Sequence, residues 1–212
     1  MSKCLTLRII FDMLSLPNIR LGGWILTKEG IIEAAAKIFS EKGYNATSMQ
    51  DIADAVHLKK ASLYYHFSSK QEILVDILDN ALDLINNRLE LVLAQSLSPS
   101  EKLRQAMLSY FQTIAENQNL AAVLLMEMKS LDPDLKARQA SRREKFESIW
   151  KDLITEGGQQ EVFHHIDPSI TGRAILGVMN WSVTWYRRDG PRSAEEIANL
   201  FADLILNGLL VK

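Results

Sequence analysis

The chain has 212 residues, with 24 Lys or Arg against 26 Asp or Glu and a formal net charge of −2. That length suits one mid-sized domain or a small module joined to a larger one, and the near-neutral balance means that any nucleic-acid footprint must be local. The single cysteine, Cys4, excludes a disulfide framework or a cysteine-based metal site within one chain, which fits a reducing cytoplasm, and no apolar run approaches the roughly 20 residues that cross a bilayer.

Residues 1–26 are rich in apolar side chains but keep neither a helical nor a strand period. Arg8, Asp12 and Arg20 interrupt them, and no small-residue cleavage site follows an apolar core, so a secretory signal is not expected. They read as a poorly ordered N-terminal extension, or as residues absent from the native protein, translation then starting near Ile25 or Leu26 at a non-AUG codon. In a native extension, Lys3, Arg8 and Arg20 would be the residues available to brush DNA.

From Thr27 the pattern is helical. Thr27 is an N-cap candidate, Ile31, Ile32, Ala35, Ile38 and Phe39 recur at helical spacing, and Gly43 suits a left-handed helix end. Thr47 with Gln50 has the spacing of a capping box for a second helix, whose inner face is Met49, Ile52, Ala53 and Val56. A turn at His57 and Leu58 leads to a third helix, about 60–67. A long helix is expected over 69–96, Pro99 breaks the chain, and helices follow over about 101–117 and 119–130. Asp132-Pro133 and Asp167-Pro168 each place a capping carboxylate before a proline at the first helical position. The first of these helices is expected to stop at Gly157-Gly158 and the second near Arg188. Residues 159–166 read as a loop, and Ser193 with Glu196 forms a capping box for a last helix to about Gly208. The expected fold is all-α with about nine helices: an extension (1–26), a three-helix unit (27–73) and a larger bundle (74–212).

The segment from Thr47 to Leu74 carries the most specific chemistry. It is two short helices around a tight turn, with no acidic residue from Lys59 to Lys70. In a helix-turn-helix the first helix lies across the DNA backbone and the second enters the major groove. Thr47 and Ser48 offer hydroxyls and free N–H groups at a helix start, a seat for phosphate. Lys59, Lys60, Ala61 and Ser62 form the end of the third helix that reaches bases. Tyr64, Tyr65, His66 and Lys70 follow, with polar tips suited to phosphates, although Tyr65 is equally suited to packing. Leu63 and Phe67 share a face with Ile52 and Val56 and belong to the core.

On these residues, IIEAAAKIFSEKGYNATSMQDIADAV followed by LKKASLYYHFSSKQEIL, the chain resembles the TetR family of bacterial transcriptional regulators. The resemblance implies a homodimer on a near-palindromic double-stranded operator, with phosphate contacts from Thr47, Ser48, Tyr64, His66 and Lys70 and base contacts from Lys59, Lys60, Ala61 and Ser62. One position departs from it: His57 stands where the family's turn has glycine.

Towards the C-terminus, Trp185, Ile197, Leu200, Phe201, Leu204 and Ile205 mark the expected dimer surface. Met107, Tyr110, Phe111, Ile114, Leu124, Met128, Phe146, Trp150, Met179 and Trp181 are candidates either for plain core or for an adaptable effector pocket, which the family implies. The segments LLMEMKSLDPDLKARQASRREKFESIW and NWSVTWYRRDGPRSAEEIANLFADLILNGL resemble a branch responding to acyl-CoA thioesters, whose phosphates would seek Arg138, Arg142, Arg143, Arg173, Arg187 or Arg188. Regulation of multidrug efflux by aromatic or cationic compounds, and a protein-interaction module that binds no DNA, are the competing readings. No nucleophile elbow, phosphate-binding glycine loop or His-Glu-x-x-His motif points to an enzyme. No cofactor is expected, and His164-His165 lacks a nearby third metal ligand.

Overall fold

The computed structural model describes residues 27–211 and, ahead of them, two short strands, β1 (Arg20–Leu21) and β2 (Trp24–Ile25). The strands pair antiparallel, Arg20 opposite Ile25 and Leu21 opposite Trp24. Two residues per strand are too few for an alternating pattern to register. The expectations about order, translation start and DNA contact over 1–26 otherwise lie outside the described residues.

The described residues form nine α-helices: α1 (Lys28–Lys42), α2 (Met49–Ala55), α3 (Lys60–His66), α4 (Lys70–Leu93), α5 (Pro99–Glu116), α6 (Gln118–Met126), α7 (Pro133–Gln159), α8 (Pro168–Trp181) and α9 (Ala194–Leu209). Short 3-10 turns, Met128–Ser130 and Ser182–Thr184, follow α6 and α8. The helices begin where side chains can take over their orphan N–H groups. Ser98 with Glu101 and Ser193 with Glu196 form reciprocal capping boxes, and Asp167 accepts from the N–H groups of Ser169 and Ile170. Pro99 therefore starts α5 instead of merely interrupting the chain. Asp132 makes no side-chain cap bond, so Pro133 alone marks the start of α7.

Of the boundaries that differ from the pattern reading, three have a clear local cause. The cap of α2 is Ser48, not Thr47: its hydroxyl accepts from the Asp51 N–H at 3.1 Å, and the Asp51 carboxylate takes the Ser48 N–H at 2.7 Å. α7 runs through Gly157 and Gly158, and the left-handed residue beyond it is Glu161 (φ 56°). Gly157 is there for space: a Cβ on it would come within 2.0 Å of the Phe163 ring. α8 stops at Trp181, because the Ser182 hydroxyl bonds the Met179 carbonyl at 2.6 Å and the Thr184 hydroxyl the Trp181 carbonyl at 2.7 Å, competing with continuation of the helix.

One apolar core runs from Ile31 to Leu209 without a break between the small unit and the bundle. α4 carries it, packing on α1, α5, α6 and α7, while α9 packs on α5 and α8 on α7. Within 159–166, Phe163 makes an antiparallel bridge to Leu210 that ties the end of α9 to the base of α7. None of the helices is long and apolar enough to cross a membrane.

Gly157→Ala is expected to lower stability by about 1–3 kcal/mol, the usual cost of forcing a methyl group into a filled site. Chemical denaturation reads this directly, and an unchanged midpoint would mean that Phe163 moves aside freely.

Candidate nucleic-acid interface and effector cavity

The helix-turn-helix is built on Ile52, Ala53, Leu63 and Phe67, all fully or almost fully buried. Between α2 and α3, His57 takes a left-handed conformation (φ 55°), and Leu58 then folds back so that its N–H reaches the Ala53 carbonyl at 2.8 Å. The chain thus keeps the turn that glycine would supply and accepts some strain.

This turn delivers α3 with its outer face bare. Lys59, Lys60, Ala61, Tyr64 and Tyr65 are exposed, and Ser62 and His66 are half-exposed. Tyr65, at 69% exposure, is not a packing residue. Its ring meets His66 edge-on at 5.6 Å, and the Lys60 ammonium lies 6.0 Å from the Tyr64 ring. Neither Lys59 nor Lys60 has an acidic partner among the described residues, so both charges are free to face phosphate or base.

Two expected phosphate contacts are placed otherwise. Thr47 is only 2% exposed, and its hydroxyl donates to the Gly43 carbonyl at 2.9 Å, so it closes the α1–α2 turn from within. The Lys70 ammonium donates inward, to the Tyr44 and Thr47 carbonyls. Ser48 stays exposed but shares its hydroxyl with Asp51, whose carboxyl is held below its ordinary value first by that hydroxyl and then by the Ser48 N–H.

In the bundle, helices α4 to α8 enclose a cavity of about 240 Å³. Leu82, Leu124, Leu125, Phe146 and Leu176 form its apolar wall. Tyr110 and Asn180 add one polar couple, the phenol donating to Asn180 Oδ1 at 2.6 Å. Burial pushes that phenol well above its ordinary value, so it remains a neutral donor. Arg143 and Arg173 flank Glu147, with Nε–O distances of 3.1 and 3.9 Å, leaving one net positive charge on the lining.

Of the ten pocket candidates, Tyr110, Leu124 and Phe146 line the cavity. Trp150 stacks edge-on against Tyr110 at 5.5 Å and backs the wall. Met107, Phe111, Ile114 and Met179 are buried elsewhere in the core, and Met128 is half-buried against it. Trp181 is a correction: at 66% exposure it points away from the cavity, since the face of α8 that carries it is opposite the one buried through Ile175 and Met179. Leu82, Leu176 and Gly177 were missed because nothing distinguishes them from core. Asn180, a lone amide on an apolar helix, was the available signal. Of the six arginines, only Arg143 and Arg173 reach the cavity. Arg138 and Arg142 pair with Asp79 and Asp83 of α4, Arg188 bonds the last carbonyls of α5, and Arg187 is exposed away from the cavity lining.

The outer faces of α8 and α9 are apolar and bare. Ile170, Val178 and Trp181 stand on α8, Leu200 and Leu204 on α9, and Trp185 between them, each exposed. Ile197 is instead buried in the protein's own core, and Phe201 is half-buried, edge-on to Phe111 at 5.8 Å and Trp185 at 6.3 Å. Ile205 is half-buried against the same core.

A helix-turn-helix with a basic, acid-free outer face, carried by an all-helical bundle, defines a DNA-binding regulator. Residues 31–77 match the model of bacterial regulatory proteins of the tetR family, and residues 96–209 that of the tetracyclin repressor-like C-terminal domain. The transcriptional repressor KstR2 of Mycolicibacterium smegmatis is 29% identical over 185 residues, 86% of this chain and 90% of its own. Among solved structures, the TetR-family regulator PfmR of Thermus thermophilus is 41% identical with a TM-score of 0.79, covering 84% of this chain and 97% of its own. AibR, solved in complex with isovaleryl coenzyme A and operator DNA, is 27% identical with a TM-score of 0.78, over 84% of this chain and 96% of its own. The chain belongs to the TetR family: it is a DNA-binding transcriptional repressor and not an enzyme.

His57→Gly is expected to raise stability by up to about 1 kcal/mol, since relief of left-handed strain outweighs the added freedom of the unfolded chain. A lower urea midpoint in the variant would show that the histidine side chain holds the turn.

Proposed function

We propose that the protein is a homodimeric repressor that acts in the cytoplasm and leaves a near-palindromic operator when a small hydrophobic effector, foremost an acyl-CoA, enters the cavity between α4 and α8. In this reading 27–73 binds DNA, with base contacts from Lys59, Lys60, Ala61 and Ser62 and phosphate contacts from Ser48, Tyr64, Tyr65 and His66. Residues 74–212 hold the effector and the partner subunit.

The observation that carries the effector is the cavity's make-up: an apolar wall, one buried donor–acceptor couple, and two arginines against one glutamate. An acyl chain suits the wall, and a thioester carbonyl or phosphate suits the polar end. AibR, solved in complex with isovaleryl coenzyme A and 27% identical to this chain, lends this distant support. The net positive lining speaks against cationic drugs. The bare apolar strip on α8 and α9 supports the dimer, because exposed patches of this kind mark association surfaces.

Release works by population shift. The two recognition helices of the dimer must sit about 34–36 Å apart, or a multiple of it, to enter successive grooves. An effector that fits only another spacing draws the dimer into it, and a full swing from 1:99 to 99:1 needs about 5.5 kcal/mol of differential affinity.

Electrophoretic shift on the DNA upstream of the protein's own gene, with a series of saturated acyl-CoA thioesters added, tests this. Binding is expected in their absence and dissociation with at least one chain length. Binding unchanged by the whole series would overturn the acyl-CoA reading. Leu204→Asp, on an exposed face, is expected to leave the fold intact, give monomers in sedimentation, and weaken operator binding by about tenfold or more. A dimeric variant would remove α9 from the interface.

A further inference from the structure

The cavity side of α8 consists of Arg173, Leu176, Gly177 and Asn180, whose spacing puts all four on one flank of the helix. Arg173 begins this flank with an exposed side chain, and Asn180 ends it about 10 Å further along the axis. Between them Gly177 leaves the backbone bare. A glycine inside a helix weakens it, and a Cβ on this one would meet nothing within 4 Å, so no packing contact within the described residues requires it. Asn180 has more hydrogen-bonding capacity than the protein uses. Its Oδ1 accepts from the Tyr110 phenol at 2.6 Å, the one hydrogen bond of that hydroxyl among the described residues. The phenol is almost wholly buried and stays protonated, so it must donate, which fixes the way the amide points. Asn180 Nδ2 is thereby turned from Tyr110, with two N–H donors that no described residue takes, on a half-buried side chain in the cavity lining.

We propose that Asn180, positioned by Tyr110, selects the effector's carbonyl: its Nδ2 donates to the thioester oxygen of an acyl-CoA whose phosphates face Arg143 and Arg173. The proposal rests on the acyl-CoA reading of the cavity and adds to it a division of labour among the polar groups. Anions are drawn to the exposed guanidinium end. A carbonyl oxygen accepts and has no proton to give, so it suits the amide, the one neutral side-chain donor left free in the lining. The order along α8 is that of the ligand, with phosphate outermost, thioester further in and the acyl chain against the leucines. Because an unpaired polar group in apolar surroundings is costly, the amide favours an occupant with an oxygen at this point over one with a methylene.

Calorimetric titration of the full-length protein without DNA tests this. The probes are butanoyl-, octanoyl- and palmitoyl-CoA, each with the S-alkyl thioether in which a methylene replaces the carbonyl. The parent protein is expected to bind its best thioester about tenfold more tightly than the matching thioether, the scale of one net hydrogen bond. Asn180→Leu should bind the two alike, through a loss on the thioester alone, and Tyr110→Phe, which frees the amide to turn, should narrow the ratio. A role confined to holding the fold would weaken thioester and thioether equally. Such an equal loss, or the parental ratio in Asn180→Leu, would overturn the proposal, as would a parent protein that takes thioester and thioether alike; in each of these cases the acyl-CoA reading stands. A parent protein that binds none of the thioesters overturns both. Should Asn180→Leu fail to fold, the double variant with Tyr110→Phe, which leaves no phenol without an acceptor, carries the same test.

Discussion

The burial of one helix face holds the molecule together. α4 hides Ile73, Leu74, Ile77 and Leu78 near its start and Leu82, Ile85, Leu89 and Val92 further on. Each such side chain contributes about 1.5–3 kcal/mol when fully buried. The three-helix unit is too small to sustain much core of its own. It folds as it does because α4 extends the bundle's core into it. The helix-turn-helix and the cavity therefore share one element, since Leu82 of the same stripe is a wall of the cavity.

The remaining face of α4 works by charge. Asp76 pairs with Lys28 of α1 at 2.6 Å, and Asp79 takes Arg138 at 3.0 Å, Arg142 at 3.2 Å and the Gln139 amide at 2.7 Å. Exposed pairs of this kind stabilise little one by one. Their geometry matters more: Arg142 also reaches Asp83, so the first turns of α7 are registered along α4 directly beside Arg143 and Phe146 of the cavity. A shift of α7 caused by an occupant must break or slide these bonds, which gives the cavity a purchase on the helix that carries the reading unit.

Most of the fold was legible because helix starts leave a local mark. Ser193/Glu196 and Asp167 read correctly because a cap needs only residues within one turn of it, whereas the Ser98/Glu101 box goes unread behind Pro99, which looks like a break. Helix ends were less so. Gly157 resembles a stop but serves a contact with Phe163 six residues on, and the end of α8 depends on which hydroxyl wins a carbonyl. Ser48 and Thr47 are both capping residues by type. What separates them is burial of Thr47 against the turn, a tertiary fact. That the stretch from Lys59 to His66 carries no acid was legible from composition alone, and the structure leaves most of it bare.

The cavity was the least legible part, for a physical reason. A cavity wall and a filled core use the same apolar residues at the same helical spacing, and the difference lies in what is absent opposite them. Tyr110, Phe146 and Trp150 form one aromatic cluster with centroids 5.5–6.4 Å apart, yet only the first two face the void. What distinguishes the void is its polar residue pattern. Asn180 has no reason to sit on an apolar helix unless a buried group such as the Tyr110 phenol needs it. Glu147 pairs with Arg143 one turn before it and lies near Arg173, so it tempers the charge at that end. An anionic occupant would compete with Glu147 for both guanidinium groups, so its affinity and its capacity to move α7 against α8 would come from the same exchange of partners.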